Sequence, residues 1–383
     1  MYRQVNITER QRNLQRILWR SSSDGPVQAY TLNTVTYGII AAPFMVIRAL
    51  QQTAHNAHVS HPDAARVILR DFYVDDLLTG HDDLDQLRVL KDEITSVLKS
   101  GGFELAKWRS NEPTLFKHDI EDAVRISPSE EEVKTLGLLW KPNRDSLQYQ
   151  VIIPRISSKV TKRTVLSVIA QIFDPLGLVG PATVKAKLLL QRLWQRNIDW
   201  DESLPQDLHH KWIAYVAELE SLNDIVVPRV IICPNPELVE LHGFSDASEG
   251  AYGACVYLQS ISREGVVTIR LICAKSKVAP LKTICIPRLE LCGALLLSNL
   301  AKSVLQALTI PLTNRYYWCD STIVLAWIRG EPHLRKTFVA NRLTEIQQMT
   351  DQEQWHYVKS EHNPADVISR GISPKQLKDL HLW

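Results

Sequence analysis

The chain has 383 residues, 45% of them hydrophobic and 22% charged, the balance of a soluble globular protein with room for two or three domains. A net charge of +2 excludes a globally basic nucleic-acid binder, so any such contact must come from local basic faces. Its 6 cysteines lack a Cys-x-x-Cys pair, which argues against zinc and for buried reduced thiols, and no apolar run has the length of a membrane span.

Residues 1–20 begin extended and end in Leu14, Ile17, Leu18 and Trp19, with Arg3, Arg10, Arg12, Arg16 and Arg20 as one candidate basic face. Residues 30–50 read as a strand, a turn at Gly38 and an apolar helix led by Pro43. Residues 66–70 have β-branched, strand-like character and precede Phe72-Tyr73-Val74-Asp75-Asp76-Leu77-Leu78-Thr79-Gly80. Two strands joined there make a hairpin with two carboxylates at its tip. Such charges repel unless water solvates them or a cation sits between them. Asp82 or Asp83 then caps a helix with Leu84, Leu87, Leu90, Ile94 and Val97 on one face, stopped by Gly101-Gly102. Residues 103–108 read as a strand carrying Lys107. Leu136-Gly137-Leu138-Leu139-Trp140 reads as an arm of a second hairpin that turns at Asn143-Arg144-Asp145.

Residues 161–194 are helical in pattern and broken at Phe173-Asp174-Pro175-Leu176-Gly177. An aspartic protease needs Asp followed by Ser or Thr and then Gly, so Asp174 reads as a helix-breaking turn. Arg155, Lys159, Lys162 and Arg163 form a second candidate basic face. A polar helix from residue 205 gives way to a linker punctuated by Pro228, Pro234 and Pro236, where a domain boundary is placed.

Beyond it, strands at 241–248, 251–258 and 266–274 form an antiparallel meander. A helix (288–308), a strand (315–320), helices at 321–328 and 338–349, a strand (355–359) and a short last helix follow. Four carboxylates fall on these elements. Asp246 ends the first strand, and Asp320 ends Tyr316-Tyr317-Trp318-Cys319. Glu290 starts an otherwise apolar helix whose only other polar residues from 289 to 300 are Ser298 and Asn299, so burying it alone is costly. Asp366 lies in His362-Asn363-Pro364-Ala365-Asp366, where Asn363 can cap, Pro364 suits the first helical position and the helix dipole favours an anion. Singly, each would pass for a turn or capping residue. Oxygen-only, carboxylate-rich ligand sets select Mg²⁺ or Mn²⁺ over zinc.

These motifs carry resemblances. Tyr73-Val74-Asp75-Asp76 resembles the metal-binding hairpin of reverse transcriptases, and Tyr37-Gly38 with Ala42-Pro43-Phe44 resembles the segment lining their nucleotide pocket. Met1-Tyr2-Arg3-Gln4-Val5 is similar to the segment bearing the aromatic gate, here Tyr2. Lys107 resembles the lysine near the leaving pyrophosphate, and the hairpin beginning at Leu136 and Gly137 the primer grip. The family's further metal-binding aspartate would fall before Met1, so this chain as given is expected not to extend a primer. Residues 167–177 with Trp200-Asp201-Glu202 resemble the thumb and connection of Bel/Pao-type LTR retrotransposon polyproteins. Phe244-Ser245-Asp246-Ala247-Ser248, Arg288-Leu289-Glu290-Leu291, Trp318-Cys319-Asp320-Ser321 and His362-Asn363-Pro364-Ala365-Asp366 resemble retrotransposon RNase H.

The resemblance implies an α+β and α/β multidomain chain: a partial reverse-transcriptase palm (1–145), a helical thumb and connection (146–236) and an RNase H-like mixed-sheet domain (237–383). It implies cleavage of RNA in RNA:DNA hybrids, with Asp246 bridging two Mg²⁺ or Mn²⁺ ions, Glu290 and Asp320 on one and Asp366 on the other. Asp75 and Asp76 would be the metal pair of the incomplete polymerase, and His362 would assist product release. The implied partners are the hybrid, template-primer nucleic acid, and the protease and integrase of the same polyprotein. The implied place is a cytoplasmic virus-like particle, with the nucleus as the alternative and no membrane. The opposed reading is a non-catalytic or domesticated remnant that keeps the fold and binds nucleic acid.

Overall fold

Helical periodicity builds the N-terminal part of the molecule. The computed structural model describes residues 1–116, 133–135, 138–152 and 159–383, and divides into two units: Met1–Leu136 with Pro142–Arg144, and Gly137–Lys141 with Asp145–Trp383. Leu136, Gly137 and Arg155 lie outside the described residues.

In the first unit, α1 (Glu9–Arg12) and the hairpin β1 (Arg16–Trp19) to β2 (Gln28–Thr31) precede α2 (Ala42–Ala57), α3 (Pro62–Asp71) and α4 (Leu84–Ser100). Leu50, Ala54, Ala64, Ile68, Ile94 and Leu98 close a core among the three longer helices. α4 starts where the Asp83 side chain accepts the Gln86 N–H at 2.8 Å, and it ends at Gly101. Residues 66–70 are helix, not strand. Pro62 opens α3, and burial at Ala64, Ala65, Val67 and Ile68 follows a helical face that outweighs the β-branched content. The strands proper are β3 (Phe72–Tyr73) and β4 (Asp76–Leu77), paired as a hairpin. Residues 103–108 are not a strand either, because Lys107 takes a left-handed φ of 59° that a ladder cannot continue through. The short β5 (Val133–Thr135) also belongs to this unit.

The second unit begins with β6 (Leu138–Lys141) and β7 (Ser146–Gln148), an antiparallel hairpin, and β8 (Val226–Pro228) adds to β7. The segment 146–236, expected to be helical, thus also supplies two strands. Its helices are α5 (Lys162–Gln171), opened by a Thr161 capping box, α6 (Gly180–Gln195) and α7 (Gln206–Glu218). α7 is amphipathic rather than polar. It buries Leu208, Trp212, Tyr215 and Val216 against Val165, Val179 and Leu193. Between α5 and α6, the Asp174 carboxylate accepts the Tyr149 hydroxyl at 2.7 Å and the Leu178 and Val179 N–H groups at 2.9 and 3.0 Å. That bonding gives Asp174 a structural role.

A five-stranded sheet follows, in the order β11 (Val267–Val278), β10 (Ala251–Ser262), β9 (Pro236–Ala247), β12 (Asn314–Cys319), β13 (Trp355–Tyr357). The first three strands are antiparallel, and β12 is parallel to both β9 and β13. Alternate residues of β9, Val239 and Leu241, pack toward α8 (Ile286–Ala307) together with α9 (Thr322–Ile328) and α10 (Thr337–Met349). On the other face, Ile368 of α11 (Ala365–Arg370) packs with Cys255 and Ala274. The final α12 (Pro374–Lys378) returns Leu377 to the core formed by α5, α6 and α7.

The turn before α6 docks on β11 through a backbone hydrogen bond. Ala274 N–H donates to the Leu176 carbonyl at 2.7 Å, and Gly177 beside it has a φ of 75°. A Cβ at 177 would overlap the Ala274 carbonyl group, so two penalties coincide there. Gly177→Ala should therefore destabilise this unit by at least about 2 kcal/mol, lowering its Tm by roughly 4–8 °C. Thermal unfolding followed by circular dichroism checks this; an unchanged Tm would contradict the docking described.

Candidate functional site

Parallel pairing of β9 with β12 sets Ser245 beside Cys319, so the next residues, Asp246 and Asp320, arrive at the same end of the sheet. The period of two puts both on the face that α11 covers, in line with Phe244 and Trp318, whose rings stack 6.2 Å apart. Glu290 sits on the second turn of α8. Gly293, one turn further on, lets that helix approach β9, since a Cβ there would lie 3.0 Å from the Asp246 carbonyl oxygen. Carboxylate oxygens of Glu290 and Asp320 and the Cys319 Sγ lie within 4.8 Å of one another. Asp366 enters on α11, whose start is tied to β9 by Asn363: its Nδ2 donates to the Ser245 carbonyl and its Oδ1 accepts the Ala365 N–H, both at 3.1 Å.

Each carboxylate has a protein partner. Ser369 Oγ donates to Asp246 Oδ2, and Ser360 Oγ donates to Asp320 Oδ2 at 2.6 Å. The Ala247 N–H serves Glu290, and Arg370 Nε donates to Asp366 Oδ1 at 2.5 Å. Glu290 Oε2 and Asp320 Oδ1 remain buried without any partner among the described residues. Burial, with Asp246 and Asp320 adding repulsion, pushes the Glu290 carboxyl up to about 9. Asp246 is pushed up to about 6, chiefly by burial, with Ser369 opposing and Asp320 and Asp366 reinforcing.

Buried carboxylate oxygens lacking donors fit a hard divalent cation. Cys319 is a poor companion ligand. Burial raises its thiol pKa, its Sγ accepts the Ser321 N–H at 3.4 Å, and a neutral thiol does not suit such an ion. The sequence reading missed Ser360, Ser369 and Arg370. Their only signal was spacing, with Ser369 and Arg370 three and four residues after Asp366 on one helical face.

The remaining candidates fall elsewhere. His362 is exposed at the end of a 3-10 turn (Ser360–His362), its Nε2 4.0 Å from a Glu361 oxygen. In the first unit the rings of Tyr2 and Tyr37 meet at 5.1 Å, Arg3 lies 6.0 Å from the Tyr37 ring, and Gly38 follows with a φ of 83°. Asp75 and Asp76 are both exposed on their hairpin, where Val74 takes a φ of 57°. Asp71 braces that hairpin by accepting the Thr79 hydroxyl at 2.8 Å. Lys107 is exposed. The basic face around residue 160 is not free: Lys162 is 3% exposed, donates to the Ile198 carbonyl and lies 4.1 Å from the Trp194 ring. Arg163 is held by both Asp201 oxygens at 2.8 and 3.0 Å. Lys162 is buried because Trp194 takes its charge against a ring face while its stem packs.

Residues 161–321 match the family described as Pao retrotransposon-like RNaseH-like domain, the type its motifs resemble. No curated protein matches the chain. Among solved structures, the N-terminal RNase H domain of Rv2228c from Mycobacterium tuberculosis, fused to maltose-binding protein, is similar at 12% identity, covering 34% of this chain and 92% of that one with a TM-score of 0.24. RNase H1 of Halobacterium salinarum is similar at 12% identity, covering 37% and 98% with a TM-score of 0.23. LC11-RNase H1, solved with an RNA/DNA hybrid, is 10% identical, covering 34% and 92% with a TM-score of 0.24.

The raised Glu290 carboxyl has a consequence for stability. The folded protein holds that proton more tightly than the unfolded chain, so the contribution is complete below the ordinary value of 4.5 and is lost as pH rises toward 9. Asp246 adds the same sign between 3.8 and about 6. In protein stripped of divalent ions, this pair should drive Tm downward between about pH 5 and pH 9, and Glu290→Gln should flatten the fall. Calorimetric scans across that range check it; an equally steep fall in the glutamine protein would refute the assignment.

Proposed function

We propose that this chain is a segment of a retrotransposon pol polyprotein whose second unit cleaves the RNA strand of RNA:DNA hybrids with Mg²⁺ or Mn²⁺. The observation that carries this reading is the convergence of Asp246, Glu290, Asp320 and Asp366, two of them with a buried oxygen that no described residue satisfies. The Pao-type match over 161–321 supports the same reading and includes three of the four carboxylates.

Asp246, Glu290 and Asp320 would hold one cation, with Asp246 and Asp366 facing a second. Bound divalent ions supply an activated water and stabilisation of the leaving 3′ oxygen. The chain's own groups do the rest. Ser369 and Ser360 each occupy one oxygen of a strand-end aspartate, and the other oxygen of Asp320 is buried without a partner among the described residues. The Ala247 N–H anchors Glu290, and Arg370 holds Asp366 in place. Selection of hybrid over duplex DNA would rest on groove shape and the RNA 2′-hydroxyl.

The first unit is read as part of a reverse-transcriptase palm, supported by the exposed Asp75–Asp76 hairpin and the paired rings of Tyr2 and Tyr37. Residues 146–236 are read as thumb and connection, and 237–383 as the RNase H-like domain. The partners would be template-primer and the other parts of the same polyprotein, in a cytoplasmic virus-like particle. No helix among the described residues is long and apolar enough to cross a membrane.

The full chain should cut the RNA strand of a labelled hybrid when Mg²⁺ or Mn²⁺ is present and not with EDTA. Asp246→Asn keeps size but removes a negative ligand, so it should lower kcat by more than about a hundredfold, beyond the loss typical of groups that only orient a ligand. Hybrid binding should persist in that variant and weaken with salt, because phosphate contacts dominate affinity. Cleavage by Asp246→Asn at the wild-type rate would sink the proposal.

A further inference from the structure

We propose that Ser369 is a positioning residue of the carboxylate site, fixing Asp246 from α11, and that α6 holds Ser369 in register. This inference rests on the nuclease reading of the same site and concerns groups that reach no substrate. Ser369 has 0% exposure, and its hydroxyl faces two acceptors, Asp246 Oδ2 and the Asp366 carbonyl at 3.1 Å. A hydroxyl has one proton, and the anionic carboxylate is the stronger acceptor and the nearer one. Ser369 therefore pins one oxygen of Asp246 and leaves the other for a cation. Ser360 makes the same kind of bond to Asp320, but it is exposed, so water can replace its hydroxyl. No water can replace Ser369 without opening the core.

The position of Ser369 is in turn set from outside the five-stranded sheet. Its carbonyl accepts the Ser248 hydroxyl at 2.8 Å. Its neighbour Ile368 fills the space beside two glycines, Gly253 on β10 and Gly180 at the start of α6, where any Cβ would fall 2.5 and 2.8 Å from its side chain. Ile372 N–H donates to the Pro181 carbonyl at 3.2 Å, tying the end of α11 to α6 as well. The line of contact thus runs from α6 through Ile368 to Ser369 and on to Asp246. Asp366, on the same short helix, is placed by the same packing.

The test uses the full chain and two readouts: Mn²⁺ binding by calorimetry without nucleic acid, and hybrid cleavage. Ser369→Ala should still unfold cooperatively and keep the wild-type KM for hybrid. Its Mn²⁺ affinity and kcat should each drop by about 10–100-fold, the range seen when a group orienting a metal ligand is lost. A serine that only filled space would lower Tm and leave both constants alone, and that result overturns the proposal. Should the alanine protein fail to unfold cooperatively, Ser369→Cys fills the same space with a weak donor, and wild-type Mn²⁺ affinity in it likewise overturns the proposal. Ile368→Val removes the methyl against Gly180 and should give a smaller loss in Mn²⁺ affinity; no loss removes α6 from the inference. If the wild type binds Mn²⁺ in an Asp246-dependent way yet leaves the hybrid intact, the nuclease reading fails, and Ser369 is judged on the Mn²⁺ constants alone.

Discussion

Like charges do not gather in a low-dielectric place unless something makes the gathering tolerable, and everything about the sheet end follows from that. Each carboxylate there receives one donor: a serine hydroxyl for Asp246 and for Asp320, a backbone N–H for Glu290, a guanidinium for Asp366. The supply stops short. Glu290 Oε2 and Asp320 Oδ1 are left with nothing, which would be a fault in a site meant only for stability. A full set of donors would leave no negative potential for a cation, whereas no donors at all would leave the side chains free to turn away. With Glu290 pushed up to about 9, the free cluster lowers its own charge by keeping a proton that a cation must displace. If the site takes the cation proposed for it, metal affinity and proton affinity would be opposed at Glu290.

That arrangement depends on helices lying before the sheet in the sequence. α8 and its companions cover one face, while the other receives α11 and, against β11, the turn leading into α6. The C-terminal α12 completes the exchange by lending Leu377 to the helical core, and Lys378 reaches Asp224 at 2.9 Å. Segments on either side of residue 236 thus belong to one compact unit. The family match, running from 161 to 321, crosses the same point.

What could be read from the sequence follows the strength of local signals. The alternation in 239–245, the Asp83 cap with its Gly101 stop, and the solitary Glu290 on an apolar helix all act within a few residues, where pattern and structure coincide. Residues 66–70 carry β-branched side chains that suit a strand, but the proline that starts α3 and the spacing of its buried side chains make them helix. Residues 103–108 misled because a left-handed backbone at a lysine leaves no mark in composition. Lys162 looked like part of a basic face, yet the tryptophans that enclose it, Trp194 and Trp200, lie more than 30 positions away. Ser369 was invisible for a related reason. Its meaning comes from Asp246, 123 positions earlier, and Val-Ile-Ser-Arg by itself is only a helix end.

The two carboxylate groups singled out as candidate metal sites also differ in kind, and burial explains why. Asp75 and Asp76 stand in solvent at a hairpin tip, where water screens their repulsion and the fold holds them by a brace at Asp71 rather than by compensating charge. Their hairpin can therefore form with or without a cation, and its stability says little about function. Asp246 and Glu290 lie at 3% and 7% exposure, where the same repulsion acts through protein and alters their protonation. A cation at the first pair would meet fully hydrated ligands. At the second it would replace a proton and relieve a desolvated anion, so the same chemistry couples ion binding to the stability of the surrounding sheet. At the buried cluster a bound metal would thus be physically linked to the fold, and at the exposed pair it would not.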